Sequence, residues 1–460
     1  MTDVKSKSRA LAEFTANLSW EAIPDSVKHR AKLQILDAIG VGVAARSYPF
    51  ADKAISGVKA LGGSGVCSVI GEQNGMSARD AALANGMLLH GLDFDDTHLG
   101  AIIHASVATL PAALAVGEAV GASGRDMLVA YVAGMETSIR IGLAAKGAFH
   151  HAGYHATAVA SHFSSAIIAG KLMGLNADEL TMAQGVTGSS AAGLQVFLEE
   201  GAWTKRFHPG WGAVAGITAA TLAQQGFVGP SRVYEGKFGL FETHFQSHLK
   251  DTDADELDAD LGKRWELAVT AIKPYPVCHF IHGCADAAIE ISREIDVGQI
   301  SSVEAYLPGP TMPIVAEPAA SKLTPKTDYE AKFSAQFVIA TCLAKGYFGL
   351  AELRDEAFSD PELLDLTAKV TCASDPDTRF PTYFSGGLTV HLDNGKSISR
   401  HVPINSGAGE RMLDEAGVSA KFRASAKMSI AEDHAEKIRE AVLNLDQLPV
   451  SDLGNALRSA

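Results

Sequence analysis

Over the first 265 or so residues apolar side chains recur at helical spacing, and Ala, Leu, Gly and Met dominate. Leu33, Ile35, Leu36, Ile39 and Val41 form one apolar stripe after the run Ser26-Val-Lys-His-Arg-Ala-Lys32, with Pro24-Asp25-Ser26 as its start signal. The pattern repeats over Ser106–Val120, Met127–Leu143, Ala156–Met173 and Asp178–Leu194. Several of these segments are apolar nearly all round, as helices inside a large α-domain are. No fixed period recurs, which argues against a solenoid.

Near residue 266 the texture changes. Ala268–Ile272, Ile300–Leu307, Ala368–Cys372, Leu388–Leu392 and Ser397–His401 are short, partly alternating and β-branched, and read as strands. Asp393-Asn394-Gly395 between the last two is a hairpin signal. Helical runs at Cys284–Glu294 and Ala331–Ala344 separate the others, and from Ser419 onward, most clearly at Ile430–Leu445, the chain returns to helix. The expected architecture is mainly α: a large all-helical domain from both chain ends (1–267 and 404–460), interrupted by a smaller α+β domain (268–403).

Composition narrows the function. A chain of 460 residues with 47% hydrophobic and 20% charged residues is globular and long enough to bury a large core. Its net charge of −14 argues against non-specific nucleic-acid binding, but leaves room for a small basic pocket. Five cysteines without a Cys-x-x-Cys pair fit a reducing compartment rather than a disulfide framework. The opening residues lack the apolar core of a secretory signal, and the longest apolar stretch, Ala101–Ala122, carries His104, Pro111 and Glu118 and reads as a buried helix. A soluble cytoplasmic protein with no membrane or nucleic-acid partner is expected. No dinucleotide fingerprint, Walker A loop or nucleophile elbow is present.

Four constellations carry candidate chemistry. His90-Gly-Leu-Asp93-Phe-Asp95-Asp96-Thr97-His98, followed by His104, sets three carboxylates within four residues, which is costly to bury without cations. A metal site, a tuned acid and a hydrogen-bonded loop capping the next helix all fit, and capping is the simpler account of Asp95 and Asp96. His104, at the head of an apolar helix, taken alone is either a satisfied core histidine or an acid/base. Tyr154-His155-Ala-Thr157 opens another helix, where nearby donors can keep an imidazole neutral and basic. Trp203-Thr-Lys205-Arg206-Phe-His208-Pro-Gly-Trp-Gly212 interleaves cations with aromatics and glycines, as a carboxylate or phosphate site does; a solvated surface turn is the bland alternative. Lys273-Pro-Tyr-Pro276-Val-Cys278-His279 falls at the domain boundary, a frequent place for a ligand cleft, although a rigid hinge would look the same.

Together these motifs resemble the MmgE/PrpD family over nearly the whole chain. The likeness runs from Leu36-Asp37-Ala-Ile-Gly40 and Ala84-Asn85-Gly86 through Asp93-Phe-Asp-Asp-Thr97, His104, His155 and Thr204–Gly210. It continues through Gly226-Phe-Val-Gly229-Pro230, Lys273–Pro276 and Ala331–Ser334. The resemblance implies a homodimer whose smaller domain is a lid, and catalysis without metal or organic cofactor. Family members include 2-methylcitrate dehydratases, cis-aconitate decarboxylases and an iminodisuccinate epimerase, which all act beside a carboxylate of a small polycarboxylic acid. It further implies that Asp93, Thr97, His104, His155, Lys205 and Lys273 match the pocket of the decarboxylase branch. Two departures stand out: Thr97 to His104 is one residue longer than in that branch, and a further pocket histidine is matched by Cys278, with His279 adjacent.

Removing a proton beside a carboxylate places two negative charges on one group, so cations must meet that charge as it develops. The expected roles are Lys205 and Lys273, with Arg206 possible, on substrate carboxylates, and His104 and His155 as acid and base. Asp93 and Thr97 would orient a histidine or hold a substrate carboxyl group, with Cys278 and His279 also lining the site. The two departures make a 2-methylcitrate-like dehydratase the first expectation. A decarboxylase or an epimerase is the alternative within the family. From other classes come a non-catalytic carboxylate binder and a metal enzyme built on Asp93, Asp95 and Asp96.

Overall fold

A computed structural model of the chain describes residues 5–458. It is mainly α, with one four-stranded sheet among the described residues, and it divides into two compact units. The first takes the chain up to Thr270 and again from Asp414; the second is Ala271–Leu413.

In the first unit six helices frame the site: α1 (Asp25–Ala45), α2 (Ala78–Leu89), α3 (Leu110–Ala119), α4 (Gly124–Ala145), α5 (Ala156–Leu172) and α6 (Thr204–Gln224). Every residue of α5 from Ala156 to Gly170 is buried, which explains its lack of a polar face. Helix α4 is long and apolar enough to cross a membrane, yet 94% of its most apolar window is buried within the protein. Ser123 caps α4 by accepting from the Asp126 N–H.

Helix α6 presses against both α2 and α5 through glycines. A Cβ at Gly86 would lie 2.4 Å from the Gly210 Cα, and one at Gly212 would lie 1.9 Å from Ser161 Oγ. Only hydrogen fits there, so the start of α6, with Lys205 and His208, is drawn down beside the first residues of α5. Pro209 lies inside α6 and offers no N–H to the carbonyl one turn earlier, that of Lys205.

The C-terminal return supplies a further tie. Lys421, on helix α7 (Glu415–Ala426), lies 2.6 Å from the buried Asp37 carboxylate of α1. It also donates to the Phe94 carbonyl at 2.7 Å, so a residue more than 300 positions away fixes the Asp-rich loop.

The second unit holds strands β1 (Ile300–Leu307), β2 (Val370–Ser374), β3 (Gly386–Leu392) and β4 (Ser397–Val402), in the order β2-β1-β3-β4. β1 runs parallel to β2, with Val303 opposite Val370, and antiparallel to β3, with Val303 opposite Val390. The Asp393-Asn394-Gly395 turn joins β3 to β4, with Gly395 at φ 79°. Helix His282–Ser292 packs on the sheet at Gly283, where a Cβ would lie 2.4 Å from the Gly386 nitrogen.

Four local expectations differ from the structure. The helix expected over Asp178–Leu194 runs over Ala177–Gly188 and stops there. Ala268–Ile272 is no strand; a 3-10 turn occupies Glu266–Val269. Its polar groups are met by side chains: the Leu267 N–H donates to Glu136, and Gln34 donates to the Leu267 carbonyl, both at 3.0 Å. The helix expected at Ser106–Val120 begins only at Leu110, with Pro111 in its first turn. The run Ala331–Ala344 is split: Asp328–Lys332 ends, and Ser334 caps a new helix at Ala335–Lys345 by accepting from Phe337 N–H.

Candidate active site

The site in the first unit is built from four segments. The Asp-rich loop follows α2, the turn carrying His104 precedes α3, and the starts of α5 and α6 bring His155, Lys205 and His208. Asp93 adopts φ 54°, a left-handed conformation that aspartate tolerates better than most residues. Arg206 donates its Nε–H to the Gly91 carbonyl at 2.8 Å, and its guanidinium lies 4.3 Å from the Phe50 ring centre, which fixes the entry to that loop. His98 closes the loop, its Nδ1 accepting from the Ala101 N–H at 3.1 Å and its Nε2 lying 3.1 Å from Glu266. The segment then turns through Ile102 at φ 54°, a strained conformation for a β-branched residue.

His104 is held at both ends. Its backbone N–H donates to Thr157 Oγ1 at 3.1 Å, which ties it to the first turn of α5. Its Nδ1 lies 2.9 Å from the Asp96 carbonyl oxygen, with Thr97 Oγ1 and Asp95 Oδ2 each at 3.3 Å. A carbonyl oxygen only accepts, so Nδ1 carries the hydrogen, and in the neutral ring Nε2 is the basic atom. That Nε2 lies 3.7 Å from Asp93 Oδ1, while Asp93 Oδ2 is 3.0 Å from Lys205 Nζ. A proton carrier, a carboxylate and an ammonium are therefore in series.

His155 occupies the N-cap position of α5 without capping it, so its ring is free to face the site. Its backbone N–H donates to the Gly193 carbonyl at 2.8 Å. Its Nδ1 lies 3.0 Å from the Nδ1 of His208, and its ring stacks on His90 at 5.6 Å. Burial, and next the charge of Lys205, hold the His155 pKa well below the ordinary imidazole value, so the ring is neutral at pH 7. His208 is likewise pushed down to about 4, chiefly by burial.

Asp95 and Asp96 do different things. Asp96 accepts from the Ser106 N–H at 2.9 Å and from the Ser106 hydroxyl, in the turn ahead of α3; it does not cap that helix, whose N-cap residue Thr109 has no side-chain cap bond. Burial pushes its pKa up to about 7. Asp95 instead lies 2.9 Å from His90 Nδ1 and 3.3 Å from His104 Nδ1, so it supports the histidines.

The structure thus gathers Asp93, Thr97, His104, His155 and Lys205 in one place. His90, Asp95 and His208 join them; all three stand in the quoted motifs, but nothing in the sequence marks them as facing the site. Of the neighbouring histidines, His151 is exposed and stacks on His248 at 5.4 Å. The remaining candidates belong to the second unit. Lys273 is buried there, the Cys278 N–H donates to the Lys332 carbonyl at 2.9 Å, and His279 Nε2 lies 2.9 Å from Asn405 Nδ2. Two sets bring possible metal-ligand atoms within 4.8 Å of one another, His90/His104/His155 and Asp93/Asp95/His104. His104 belongs to both, and the ammonium on Asp93 opposes a second cation there.

Comparison with known proteins adds kinship to this geometry. The model of the MmgE/PrpD N-terminal domain matches residues 9–252, and that of the MmgE/PrpD C-terminal domain matches residues 275–447. A cis-aconitate decarboxylase-like protein, oryM, of Aspergillus oryzae is 27% identical over 453 residues, covering 95% of this chain and 94% of its own. The cis-aconitate decarboxylase of Aspergillus terreus is 27% identical, covering 97% and 95%. The human cis-aconitate decarboxylase is 26% identical, covering 97% and 93%.

Proposed function

This chain belongs to the MmgE/PrpD family and is an enzyme, and on that footing we propose that it is a cofactor-independent lyase that decarboxylates cis-aconitate or a close polycarboxylate analogue. The relatives named above favour decarboxylation over the dehydration that the sequence first suggested.

The observation that carries this reading is the commitment of His104 Nδ1 to the Asp96 carbonyl, which leaves Nε2 as the proton-transfer atom beside the Asp93–Lys205 pair. When the C–C bond to the departing carboxyl breaks, its electron pair enters the allylic system and gathers on the carbon beside a remaining carboxylate. Lys205 meets the charge on that carboxylate. Protonated His104 then delivers its Nε2 proton to the carbon. Asp93 and Asp95 favour the imidazolium between turnovers, because opposite charge nearby favours the charged form. His155, kept neutral, hydrogen-bonds the oxygen on which charge develops. Lys273 is assigned to another substrate carboxylate, and Cys278 and His279 to the site, on the family resemblance.

A second reading, dehydration of a 2-methylcitrate-like hydroxy acid, is favoured by the longer loop through Ile102 and by Cys278 where the decarboxylase branch has a histidine. Kinetics on cis-aconitate, 2-methylcitrate and iminodisuccinate separate the activities. His104→Ala and His155→Ala are each expected to lower kcat on the order of 10²–10⁴-fold. Full turnover in both variants would overturn this site; binding of the acids by the wild type with no turnover would make the protein a carboxylate binder.

A further inference from the structure

We propose that His208 is a positioning residue that sets the tautomer of His155 and relays protons between His155 and solvent. This rests on the reading of His155 as a group of the acid/base site. The carrying observation is the 3.0 Å contact between the two Nδ1 atoms, made between residues at the starts of different helices. The two rings lie 5.2 Å apart, and Phe197 packs edge-on against both at 5.9 Å, which holds their mutual orientation.

Two neutral imidazoles facing each other through Nδ1 can form a hydrogen bond only if one Nδ1 carries hydrogen and the other does not. Their tautomers are therefore complementary. If His155 donates, its Nε2 is a base and His208 Nε2 carries hydrogen. If His208 donates, His155 Nε2 carries hydrogen and can act as an acid. Charging both rings would set two N–H groups against each other. Burial opposes this as well, and Lys205, one turn before His208 on α6, repels a proton on either ring.

The relay follows from that bond. As charge develops on the carboxylate oxygen, His155 gives it the Nε2 hydrogen and takes the Nδ1 hydrogen of His208. His208, 8% exposed, takes a proton from water at Nε2. Both rings end neutral with exchanged tautomers, and one proton has moved from solvent to the oxygen. Once His104 has protonated carbon, the oxygen returns its proton along the same path and the starting tautomers are restored.

His104 needs no such partner, because the Asp96 carbonyl fixes its tautomer. One histidine of the site is thus locked and the other switchable. An enzyme that must both take and give protons can use that difference.

The test has two arms. In the first, nitrogen NMR of protein labelled with ¹⁵N-histidine reads the ring tautomers without any substrate. One Nδ1 of the pair is expected to carry hydrogen and the other to be bare between pH 5.5 and 8, with the pattern lost in His208→Gln. Two rings of the same tautomer would overturn the proposal. In the second, His208→Phe is expected to lower kcat at least about tenfold with KM within about twofold. His208→Ala should regain rate with added imidazole. Melting curves identify any variant that fails to fold, and the NMR arm on wild type stands without one. Wild-type kcat in the Phe variant would overturn the relay. If wild type turns over no polycarboxylate, the proposed function fails instead, and the NMR arm still decides the tautomer pair.

Discussion

Lys205 Nζ lies 3.0 Å from Asp93 Oδ2, so the cation assigned to a substrate carboxylate already holds a carboxylate of the protein. A substrate must share Lys205 with Asp93 or displace it. The same Asp93 approaches His104 Nε2 with its other oxygen, at 3.7 Å. On the proposed function, Asp93 therefore couples substrate binding to proton transfer.

Asp93→Asn separates these two effects. Freed from its ion pair, Lys205 should bind carboxylate more tightly and lower KM. His104, which loses Asp93 but keeps Asp95, should hold its proton less well, and kcat should drop on the order of 10–10²-fold. Steady-state kinetics near pH 7 checks both directions. A raised KM with unchanged kcat would assign Asp93 to substrate binding alone.

Lys421→Met breaks a buried ion pair from one side and removes the donor to the Phe94 carbonyl. Asp37, whose pKa burial pushes upward despite Lys421, would be left with its main partner gone. Chemical denaturation should show a loss of about 3–5 kcal/mol. The double variant Lys421→Met/Asp37→Leu should recover much of it, because it removes the stranded charge.

Stability should rise from acid pH and level off near neutral pH. His150, His162 and His208 are lowered to about 4, and His155 is also held well below the ordinary imidazole value, all chiefly by burial. Folding favours their neutral forms, so their contribution is complete above about pH 6.5 and is lost as pH falls toward 4. Asp96 and Glu136 are raised to about 7 by burial. Their contribution is complete below about pH 4 and is lost as pH rises through 7. The four histidines work against these acids between pH 4 and 7, and both effects are complete above 7, so Tm should rise from pH 4.5 to 6.5 and then level off. Asp37, Glu118 and Asp286, also raised by burial, temper the rise. Asp96→Asn should steepen it, since one opposing acid is gone.

Chelation tests the rival use of the same side chains. The ligand-like sets around His104 could be read as a metal centre. Dialysis against EDTA with metal analysis should leave kcat within about 20% of the untreated value if charge is met by lysines. Loss of activity restored by a divalent ion would make the site a metal centre.

Much of this was legible from residue order. Helical periodicity and the change of texture near residue 266 read the mainly α character and the strand-bearing segment, and Asp393-Asn394-Gly395 marked its hairpin. The Asp-rich, His155 and Lys205 motifs marked most of the site. His90 and His208 stood within those motifs with nothing to distinguish them, and Asp95, expected to cap the next helix, instead lies against His90 and His104. Their roles depend on ring contacts and on a hydrogen bond spanning 53 residues, and a buried histidine reads alike whichever way it faces. Lys421 left no local signal, because its partners lie in α1 and in the Asp-rich loop. Ala268–Ile272 misled through its β-branched residues, when Glu136 and Gln34 supplied the hydrogen bonds a strand would have needed.

The most direct measurement is proton NMR of cis-aconitate with the purified enzyme in D₂O, with EDTA present. The account predicts loss of carbon dioxide, with one solvent deuterium on the carbon beside the remaining carboxylate of the product. His104→Ala should slow that step on the order of 10²–10⁴-fold. Unchanged cis-aconitate, with dehydration of 2-methylcitrate in its place, would contradict decarboxylation. No turnover or deuterium entry on any of the three acids would contradict proton transfer at this site altogether.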